Sequence, residues 1–285
     1  MEHASCLFLG LASVDLIYQL DNFPAPDSKN NCRDLKISGG GPALNAAVTF
    51  SFLGGKSKLI SAFGKHHLAE IIKKDLSDNN VDFSDLFINT LSPPILSSII
   101  ISGDGERTII TSKPEFEKFS GIELEAEAEK HDALLLDGFF PEAAIEAAKI
   151  FHRENKPVVF DGGSWKEKTE ELLPFVTDAI CSSSFFVPGL KSKSEILNYL
   201  MKSGVERAAV TNGGNAINFK TKNESGKVFP PKIQPVDTSA AGDIFHGAYV
   251  YYFLKYQDFE IALNHASKTA AESCKYFGSR KWKER

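Results

Sequence analysis

Cysteine, methionine and tryptophan are scarce in this sequence of 285 residues, which holds four, two and two of them. The four cysteines are scattered along the chain, at Cys6, Cys32, Cys181 and Cys274. Because no two of them form a C-x-x-C pair, the sequence predicts neither a disulfide framework nor a zinc site. The fold must therefore be held together by an apolar core.

Long apolar runs are also missing, and we expect no leader sequence. No stretch reaches the roughly 18 consecutive apolar residues that a membrane-spanning helix needs. The amino terminus lacks the basic segment and cleavage site of a secretory signal. We therefore expect a cytoplasmic protein that does not contact a membrane.

Positive charge is in deficit as well, since 32 Lys and Arg stand against 37 Asp and Glu, for a net charge of −5. A protein that binds nucleic acid through its phosphates usually carries a basic face, so we expect no nucleic-acid partner. The one basic run, residues 279–285, is short and terminal. We expect it to be a solvated tail.

What the chain does contain is a regular alternation of strands and helices, in one large domain or two small ones. From residue 133 onward the segments are Ala133–Asp137, Pro141–Glu154, Pro157–Asp161, Lys166–Phe175, Ala179–Ser182, Lys193–Ser203 and Arg207–Thr211. Strands and helices that alternate in this way predict an α/β fold with a parallel sheet covered on both faces.

Two segments nearer the amino terminus predict a second, smaller sheet. Residues 16–37 alternate loosely between apolar and polar side chains. Ile95–Ile101 and Arg107–Thr111 flank a loop with two glycines, which is typical of a β-hairpin. We expect these strands to form a lid. If the lid exposes an apolar face, a homodimer formed through the lid would cover it.

One stretch near the carboxyl terminus combines small residues with the start of an apolar helix. It holds Ala240, Ala241 and Gly242, followed by Asp243 and a helix-like run without proline as far as Tyr256. Uncovered backbone N–H groups at a helix start are suited to an anion such as phosphate. A carboxylate beside that site could take a proton from an alcohol.

Two further features lie near the amino terminus. Asp15 follows the strand-like run Cys6–Leu11, at a position where open α/β sheets bind ligands, although a turn aspartate is an equally good interpretation. The glycines at 39–41 precede Pro42 and a helix, and would let a ligand approach the backbone. This segment matches neither the phosphate-binding P-loop nor the dinucleotide-binding glycine pattern.

The string Asp-Thr-x-Ala-Ala-Gly-Asp at residues 237–243 resembles the carboxyl-terminal signature of the ribokinase-like (pfkB) carbohydrate kinases. Gly-Gly-Pro-Ala-Leu-Asn at residues 40–45 resembles their amino-terminal signature, and within the family the chain is most similar to the ketohexokinases. The resemblance covers nearly the whole chain. It implies a three-layer α/β fold with a central, mostly parallel sheet and a small β-sheet lid, in a single domain that spans residues 1–285.

The resemblance also implies an activity, the transfer of a phosphoryl group from ATP to a sugar hydroxyl with Mg²⁺. It leaves open whether a monovalent cation takes part. Asp243 would be the general base, and Arg107 would reach in from the lid. The loop residues Ala240, Ala241 and Gly242 would receive the charge that develops on the transferred group.

Further site residues are implied only by the resemblance. The residues implied for sugar binding are Asp15, Asp27, Gly40, Gly41, Asn45 and Asp137. The residues implied for nucleotide binding are Thr211, Gly213, Thr238, His265 and Ala266. For His265, packing on a helix surface is the preferred interpretation. No side chain is assigned as a metal ligand.

Three departures from the family pattern bear on the substrate, the metal and the nucleotide. Pro42 stands where ketohexokinases carry a sugar-contacting Asn and where phosphosugar kinases carry a Lys. This favours an unphosphorylated sugar and leaves ketose specificity open. Residues 183–186 replace an Asn-x-x-Glu motif linked to metal and phosphate, so the placement of Mg²⁺ stays open. Ala216 replaces the last glycine of the nucleotide-contact loop.

We therefore predict an ATP-dependent kinase that phosphorylates a small unphosphorylated sugar, similar to a ketohexose or ribose. A nucleoside is the nearest alternative, since Phe139 and Phe140 could line a pocket for a base. The other alternative is a non-catalytic sugar or nucleotide sensor, because the changes at residues 183–186 and at Ala216 affect the expected nucleotide and metal contacts.

Overall fold

The computed structural model describes residues 4–103, 107–112 and 123–284. The strands are β1 Ser5–Leu9, β2 Ser13–Gln19, β3 Asp34–Gly40, β4 Lys56–Ser61, β5 Val81–Asp85, β6 Ile95–Ile101, β7 Arg107–Thr111, β8 Ala133–Leu136, β9 Val158–Gly162, β10 Asp178–Cys181, β11 Arg207–Val210, β12 Ile217–Thr221 and β13 Ser225–Val228. The helices are α1 Pro42–Phe52, α2 Ala69–Asp78, α3 Leu124–Lys130, α4 Pro141–Arg153, α5 Thr169–Leu172, α6 Lys193–Lys202, α7 Ala241–Tyr256 and α8 Phe259–Ser273.

The larger sheet has nine strands in the order β13-β12-β11-β10-β9-β8-β1-β4-β5. The strands from β11 to β5 run parallel, and β12 and β13 add an antiparallel edge. At its centre, Phe8 of β1 pairs in register with Leu135 of β8 and Leu59 of β4. These apolar strands suit a parallel sheet that is buried on both faces.

Helices cover both faces of this sheet and form two separate cores. One core contains residues of α1, α2, α7 and α8, with Phe50 and Tyr249 fully buried in it. The other contains residues of α3, α4, α5 and α6, including the fully buried Phe151 and Leu200. Across the described residues, none of the helices combines the length and apolar composition needed to cross a membrane.

Local sequence signals set the starts of the helices that frame the site. Pro42 and Pro141 occupy the first turns of α1 and α4, where a missing N–H costs nothing. The side chain of Asp258 caps α8 by accepting a hydrogen bond of 2.8 Å from the N–H of Ile261. These two prolines and the Asp258 cap fix the residue at which each helix begins.

The smaller sheet has four strands in the order β3-β2-β6-β7. Its inner face carries Ile17, Ile99 and Ile101, which pack together with Phe277 from the end of the chain. Its outer face carries partly exposed apolar side chains, described below. The sheet therefore contributes one wall of a cleft while exposing its other face to solvent.

The α/β architecture and the small lid sheet that the sequence predicts are confirmed, and the hairpin strands β6 and β7 have the predicted bounds. Part of the predicted hairpin loop, residues 104–106, lies outside the described residues. The helix predicted at 166–175 is shorter, because α5 spans four residues and a 3-10 turn at Leu173–Phe175 follows. Pro174 in that turn lacks the N–H that an α-helix would need.

Candidate active site

A cleft of about 600 Å³ opens between the smaller sheet and the carboxyl ends of the central strands. Its lining includes six predicted site residues, namely Asp15, Gly41, Asn45, Arg107, Ala240 and Asp243. A larger cavity of about 1030 Å³ lies at the opposite edge of the sheet and contains none of the predicted residues. The smaller cleft is therefore the candidate active site.

The loop before α7 turns sharply at Ala240, whose φ of 58° is left-handed. The N–H of Ala241 already donates to the carbonyl oxygen of Thr238 at 3.3 Å. Within the described part of the chain, the N–H groups of Ala240, Gly242 and Asp243 have no acceptor. A methyl group added at Gly242 would meet no atom within 4 Å. Open donors at a helix start form an anion-binding site.

Two polar side chains of this loop bear on its shape and on what it could bind. The carboxylate of Asp237 accepts hydrogen bonds from the N–H groups of Ser239 at 2.7 Å and Gly278 at 2.8 Å. The Ser239 hydroxyl lines the cleft, is buried, and has no hydrogen-bond partner among the residues that the structure describes. An orphaned hydroxyl beside free N–H groups suits a ligand rich in oxygen atoms.

The carboxylate of Asp243 lies in the first turn of α7 and accepts a hydrogen bond of 2.7 Å from Asn45 Nδ2. Burial raises the pKa of Asp243 above its usual value, and the nearby charge of Asp161 raises it further. The bond from Asn45 and the charges of His246 and Arg107 oppose that rise. A carboxylate with a raised pKa is a stronger proton acceptor than a solvated one.

Asp15 projects from β2 into the same cleft and accepts a hydrogen bond of 2.7 Å from the Ser13 hydroxyl. Burial raises the pKa of Asp15 to about 6, against the lowering effect of the Ser13 bond. Gly40, on the paired strand β3, leaves room for this carboxylate, because any side chain there would collide with it. Gly40 thus shapes the position of Asp15.

Asp137 is placed differently from the other predicted sugar-binding residues. Its carboxylate accepts bonds from the N–H groups of Leu11 at 2.7 Å and Phe139 at 3.0 Å, and it does not line the cleft. Burial raises its pKa to about 6. In this structure Asp137 ties the ends of β1 and β8 together, and Phe139 is the neighbour that faces the cleft.

Arg107 connects the smaller sheet to the loop before α7. Its Nη1 donates a hydrogen bond of 2.6 Å to the carbonyl oxygen of Thr238, although the residue is largely exposed. Its charge is also close enough to lower the pKa of Asp243. Arg107 is therefore a cation at the rim of the cleft, next to the free N–H groups.

Neither Asp27 nor any of the predicted nucleotide residues lines this cleft, although the carbonyl oxygen of Thr238 accepts the hydrogen bond from Arg107 at its rim. Asp27 lies in an exposed loop between β2 and β3, with a φ of 54°. Thr211 follows β11, and its N–H and hydroxyl both donate to the carbonyl oxygen of Cys181. Gly213 lies in the exposed turn that follows, with open space in front of it.

His265 and Ala266 both lie on α8, away from the cleft lining. The ring of His265 stacks on Tyr252 at 4.5 Å and on Tyr256 at 5.3 Å between ring centroids. Burial lowers its pKa. Ala266 is fully buried between helices, so it has no surface to offer a nucleotide. The stack agrees with the packing interpretation of His265.

Two groups beside Asp243 were not predicted from the sequence, His246 and Asp161. His246 lies one turn further along α7, with Nδ1 2.7 Å from the Gly242 carbonyl oxygen and 3.4 Å from the Asp161 carboxylate. Its Nε2 is 3.0 Å from the carbonyl oxygen of Ile180. The sequence offers one signal for Asp161, namely its position at the carboxyl end of a predicted central strand.

The expectation of a solvated tail is wrong for Ser279, Arg280 and Trp282, while Lys281 between them is exposed. Ser279 and Trp282 are buried, and Arg280 Nη1 donates a hydrogen bond of 2.8 Å to Asn45 Oδ1. The signal available in the sequence is Trp282, a large apolar side chain that a fully solvated tail would not normally expose.

Comparisons with known proteins bear on the family and the fold. A family model described as pfkB family carbohydrate kinase matches residues 3–284. A ribokinase from Haemophilus influenzae is 24% identical over 93% of this chain and 90% of its own length. A ketohexokinase from Mus musculus is 23% identical over 96% of this chain and 97% of its own length. The solved structure of Arabidopsis thaliana ribokinase complexed with ribose and ATP has a TM-score of 0.77 at 20% identity, over the whole of both chains.

Proposed function

The chain belongs to the pfkB family of carbohydrate kinases, and from this membership we propose that Asp243 is the general base in the phosphorylation of a small unphosphorylated sugar. One observation carries the proposal. Asp243, its partner Asn45 and the carboxylate of Asp15 line a single cleft, next to a helix start with free N–H groups. Such a cleft has a proton acceptor, a site for phosphate and an acceptor for sugar hydroxyls.

ATP is the phosphoryl donor that membership of this family implies. We assign the terminal phosphate of ATP to the loop before α7. There the N–H groups of Ala240, Gly242 and Asp243 have no hydrogen-bond acceptor among the residues that the structure describes. Thr238 belongs to the same loop. The exposed turn at Thr211 and Gly213 is the proposed contact for the rest of the nucleotide, supported by the open space in front of Gly213.

In the proposed reaction, Asp243 accepts the proton of the attacking sugar hydroxyl as its oxygen bonds to the γ-phosphorus and the bond to ADP breaks. Asn45 holds the carboxylate through its hydrogen bond of 2.7 Å. The free N–H groups stabilise charge on the transferring phosphoryl oxygens, as preorganised donors do in other acyl and phosphoryl transfers. Arg107, at the rim, is the cation that would bind the same oxygens.

Mg²⁺ is the metal that this chemistry needs. The residues present are compatible with a Mg²⁺ ion that enters the site already bound to the nucleotide. Among the described residues, no group of three or more His, Cys, Asp or Glu side chains could hold a metal. Mg²⁺ that arrives on a nucleotide needs only one or two protein carboxylates. Asp161, which lies close enough to Asp243 to raise the pKa of that group, is the carboxylate that would hold it. When bound, Mg²⁺ neutralises charge on the phosphates.

The charge of the cleft favours an unphosphorylated substrate. Its lining contains the carboxylates of Asp15 and Asp243, and Arg107 is the one cation among the described residues that line it. Pro42 lines the cleft where a phosphosugar kinase would place a Lys. A phosphate group already present on the sugar would therefore be repelled by two carboxylates, with a single positive charge to offset the repulsion.

A nucleoside is a second candidate substrate because one wall of the cleft is apolar. Phe139 lines it together with Ile95, Ile99 and Ile109 of the smaller sheet. Phe140, the other aromatic considered for a base pocket, is buried in the core with residues of α4 and does not line the cleft. A planar base could pack against Phe139 while its ribose hydroxyls reach Asp15.

A substrate screen tests the proposed function. ATP consumption is measured with Mg²⁺ and a panel of ketohexoses, ribose, nucleosides and one sugar phosphate. We expect turnover with an unphosphorylated sugar or a nucleoside and little with the sugar phosphate. Sugar binding by calorimetry without any ATP turnover would favour a sensor and contradict the proposal.

A further inference from the structure

We propose that Arg280 is a positioning residue for phosphoryl transfer, because its guanidinium fixes the amide of Asn45 so that Nδ2 donates to Asp243. The inference rests on the proposed function of Asp243 as the base. It assigns a role in the site to the segment of residues 277–284, here called the tail segment.

The tail segment is anchored on both sides of Arg280. Before it, the N–H of Gly278 donates to Asp237 at 2.8 Å, which ties the segment to the loop before α7. After it, the ring of Trp282 packs edge-on against Phe52 of α1, with 4.9 Å between ring centroids. Anchors on both sides keep the backbone at Arg280 in place, so its side chain has a fixed origin.

The guanidinium of Arg280 uses all of its nitrogens. Nε and Nη2 bind the Asp75 carboxylate of α2, at 3.1 and 2.7 Å. Nη2 also donates to the carbonyl oxygen of Gly39 in β3 at 3.1 Å. Nη1 donates to Asn45 Oδ1 at 2.8 Å and to the Ser279 hydroxyl at 3.0 Å. Because the planar guanidinium donates hydrogen bonds to this many partners, it is held in one orientation.

This arrangement determines which way the Asn45 amide points. Its oxygen accepts from Arg280, which is a donor only, so its nitrogen must face Asp243. With the amide reversed, two donors would meet at Arg280 and two acceptors at Asp243. Arg280 therefore fixes the orientation of the Asn45 amide that holds Asp243. The hydrogen bonds run from Asp75 through Arg280 and Asn45 to Asp243.

Arg280 also acts on charge in the cleft and on the smaller sheet. Its positive charge lowers the pKa of Asp15, whereas Asp243 and Asp75 raise it. Its bond to Gly39 connects β3 of the smaller sheet to the same network. A single side chain thus links the lid, the sugar-binding carboxylate and the base.

The test compares Arg280→Gln with Lys281→Gln, which removes a charge from the next residue of the same segment, where the ammonium pairs with Glu284 on the surface. We expect Arg280→Gln to lower kcat by about ten- to a hundredfold through misplacement of Asp243. It should also move the acid limb of kcat/KM to higher pH, because Asp15 loses a favourable charge. Lys281→Gln should change neither quantity.

Removing Arg280 alone leaves Asp75 as an unpaired, mostly buried charge, which can prevent folding. The double variant Arg280→Gln/Asp75→Asn removes both charges and keeps the test possible. If the folded double variant retained the wild-type kcat, the proposal would be overturned. A lower kcat supports it, and the pH profile is compared only for Arg280→Gln, because Arg280 and Asp75 shift the pKa of Asp15 in opposite directions.

A second readout is independent of catalysis. The side-chain amide signal of Asn45 and the titration of the Asp15 carboxyl are followed by NMR in the wild type and in Arg280→Gln. We expect the amide signal to move and the pKa of Asp15 to rise above about 6. An unchanged amide and titration would refute the inference about Arg280. Absence of wild-type turnover with every substrate would instead refute the proposed function.

Discussion

At Asp243, burial and hydrogen bonding act on the same carboxylate in opposite directions. Burial raises its pKa, and the bond from Asn45 lowers it. The result is a group that is held in place while remaining a better proton acceptor than a solvated aspartate. A general base needs both properties, since an oriented acceptor of matched pKa gives the larger rate effect.

Asp15 gives a prediction about stability. Its pKa is raised to about 6 by burial, so its ionised form destabilises the folded protein above that pH. Replacement by Asn keeps an oxygen for the Ser13 hydroxyl and removes the buried charge. We expect Asp15→Asn to raise the free energy of unfolding at pH 8 by about 2 kcal/mol.

The pH dependence supplies the control for this prediction. Below about pH 4 the carboxyl is protonated in both the folded and the unfolded chain, so the advantage of Asn should vanish there. It should grow as the pH rises from about 4 to about 6. Urea unfolding of wild type and variant across this range measures it, and a variant less stable than wild type at pH 8 would contradict the account. The sugar KM of the variant should rise.

Single residues were predictable from the sequence where they belong to a short motif. Asp243, Asn45 and Gly41 lie in contiguous strings that resemble family signatures, and the cleft contains all three. Arg280 could not be predicted in this way, because its bond to Asn45 joins residues 235 positions apart. No local pattern specifies a contact of that separation.

At the scale of elements, the start of α7 carries the phosphate site. A methyl group at Gly242 would meet no protein atom within 4 Å, so Gly242→Ala should not lower stability. It would occupy space that we assign to the phosphate. We expect an ATP-dependent rate reduced by about 10²-fold from misplaced phosphate oxygens, with an unchanged melting temperature. Unchanged kinetics for ATP would show that the phosphate binds elsewhere.

Elements with strong periodicity were the predictable ones. The helix through residues 243–256 and the hairpin of β6 and β7 follow from clear apolar patterns and turn residues. β5, with the sequence Val-Asp-Phe-Ser-Asp, was missed because it is an edge strand with a single buried residue and little apolar content. α3 was missed because four of its seven residues are charged and its neighbours give no start signal.

At the scale of the whole molecule, the outer face of the smaller sheet predicts self-association. Leu35, Ile37 and Ile110 lie on that face and are 41%, 52% and 63% exposed. A contiguous exposed apolar patch is typical of an interaction surface. We therefore propose a homodimer formed through the lid, with its four-stranded sheets facing each other.

Molar mass in solution tests the dimer. We expect the mass of a dimer for the wild type and of a monomer for Ile110→Lys combined with Ile37→Lys, which places charge at the centre of the patch. The matched control is Phe83→Lys, a substitution at a partly exposed apolar residue of β5 on the other sheet. A wild-type monomer at working concentration would rule out the lid interface.

The proposed role of Asp243 as the general base is tested by the kcat of Asp243→Asn on the best substrate from the screen, paired with calorimetry of sugar binding. Asn at 243 can still accept the bond from Asn45, so the cleft should keep its shape. We expect kcat to fall by about 10²–10⁴-fold through loss of the proton acceptor, while sugar affinity is preserved. A kcat close to that of the wild type would contradict it.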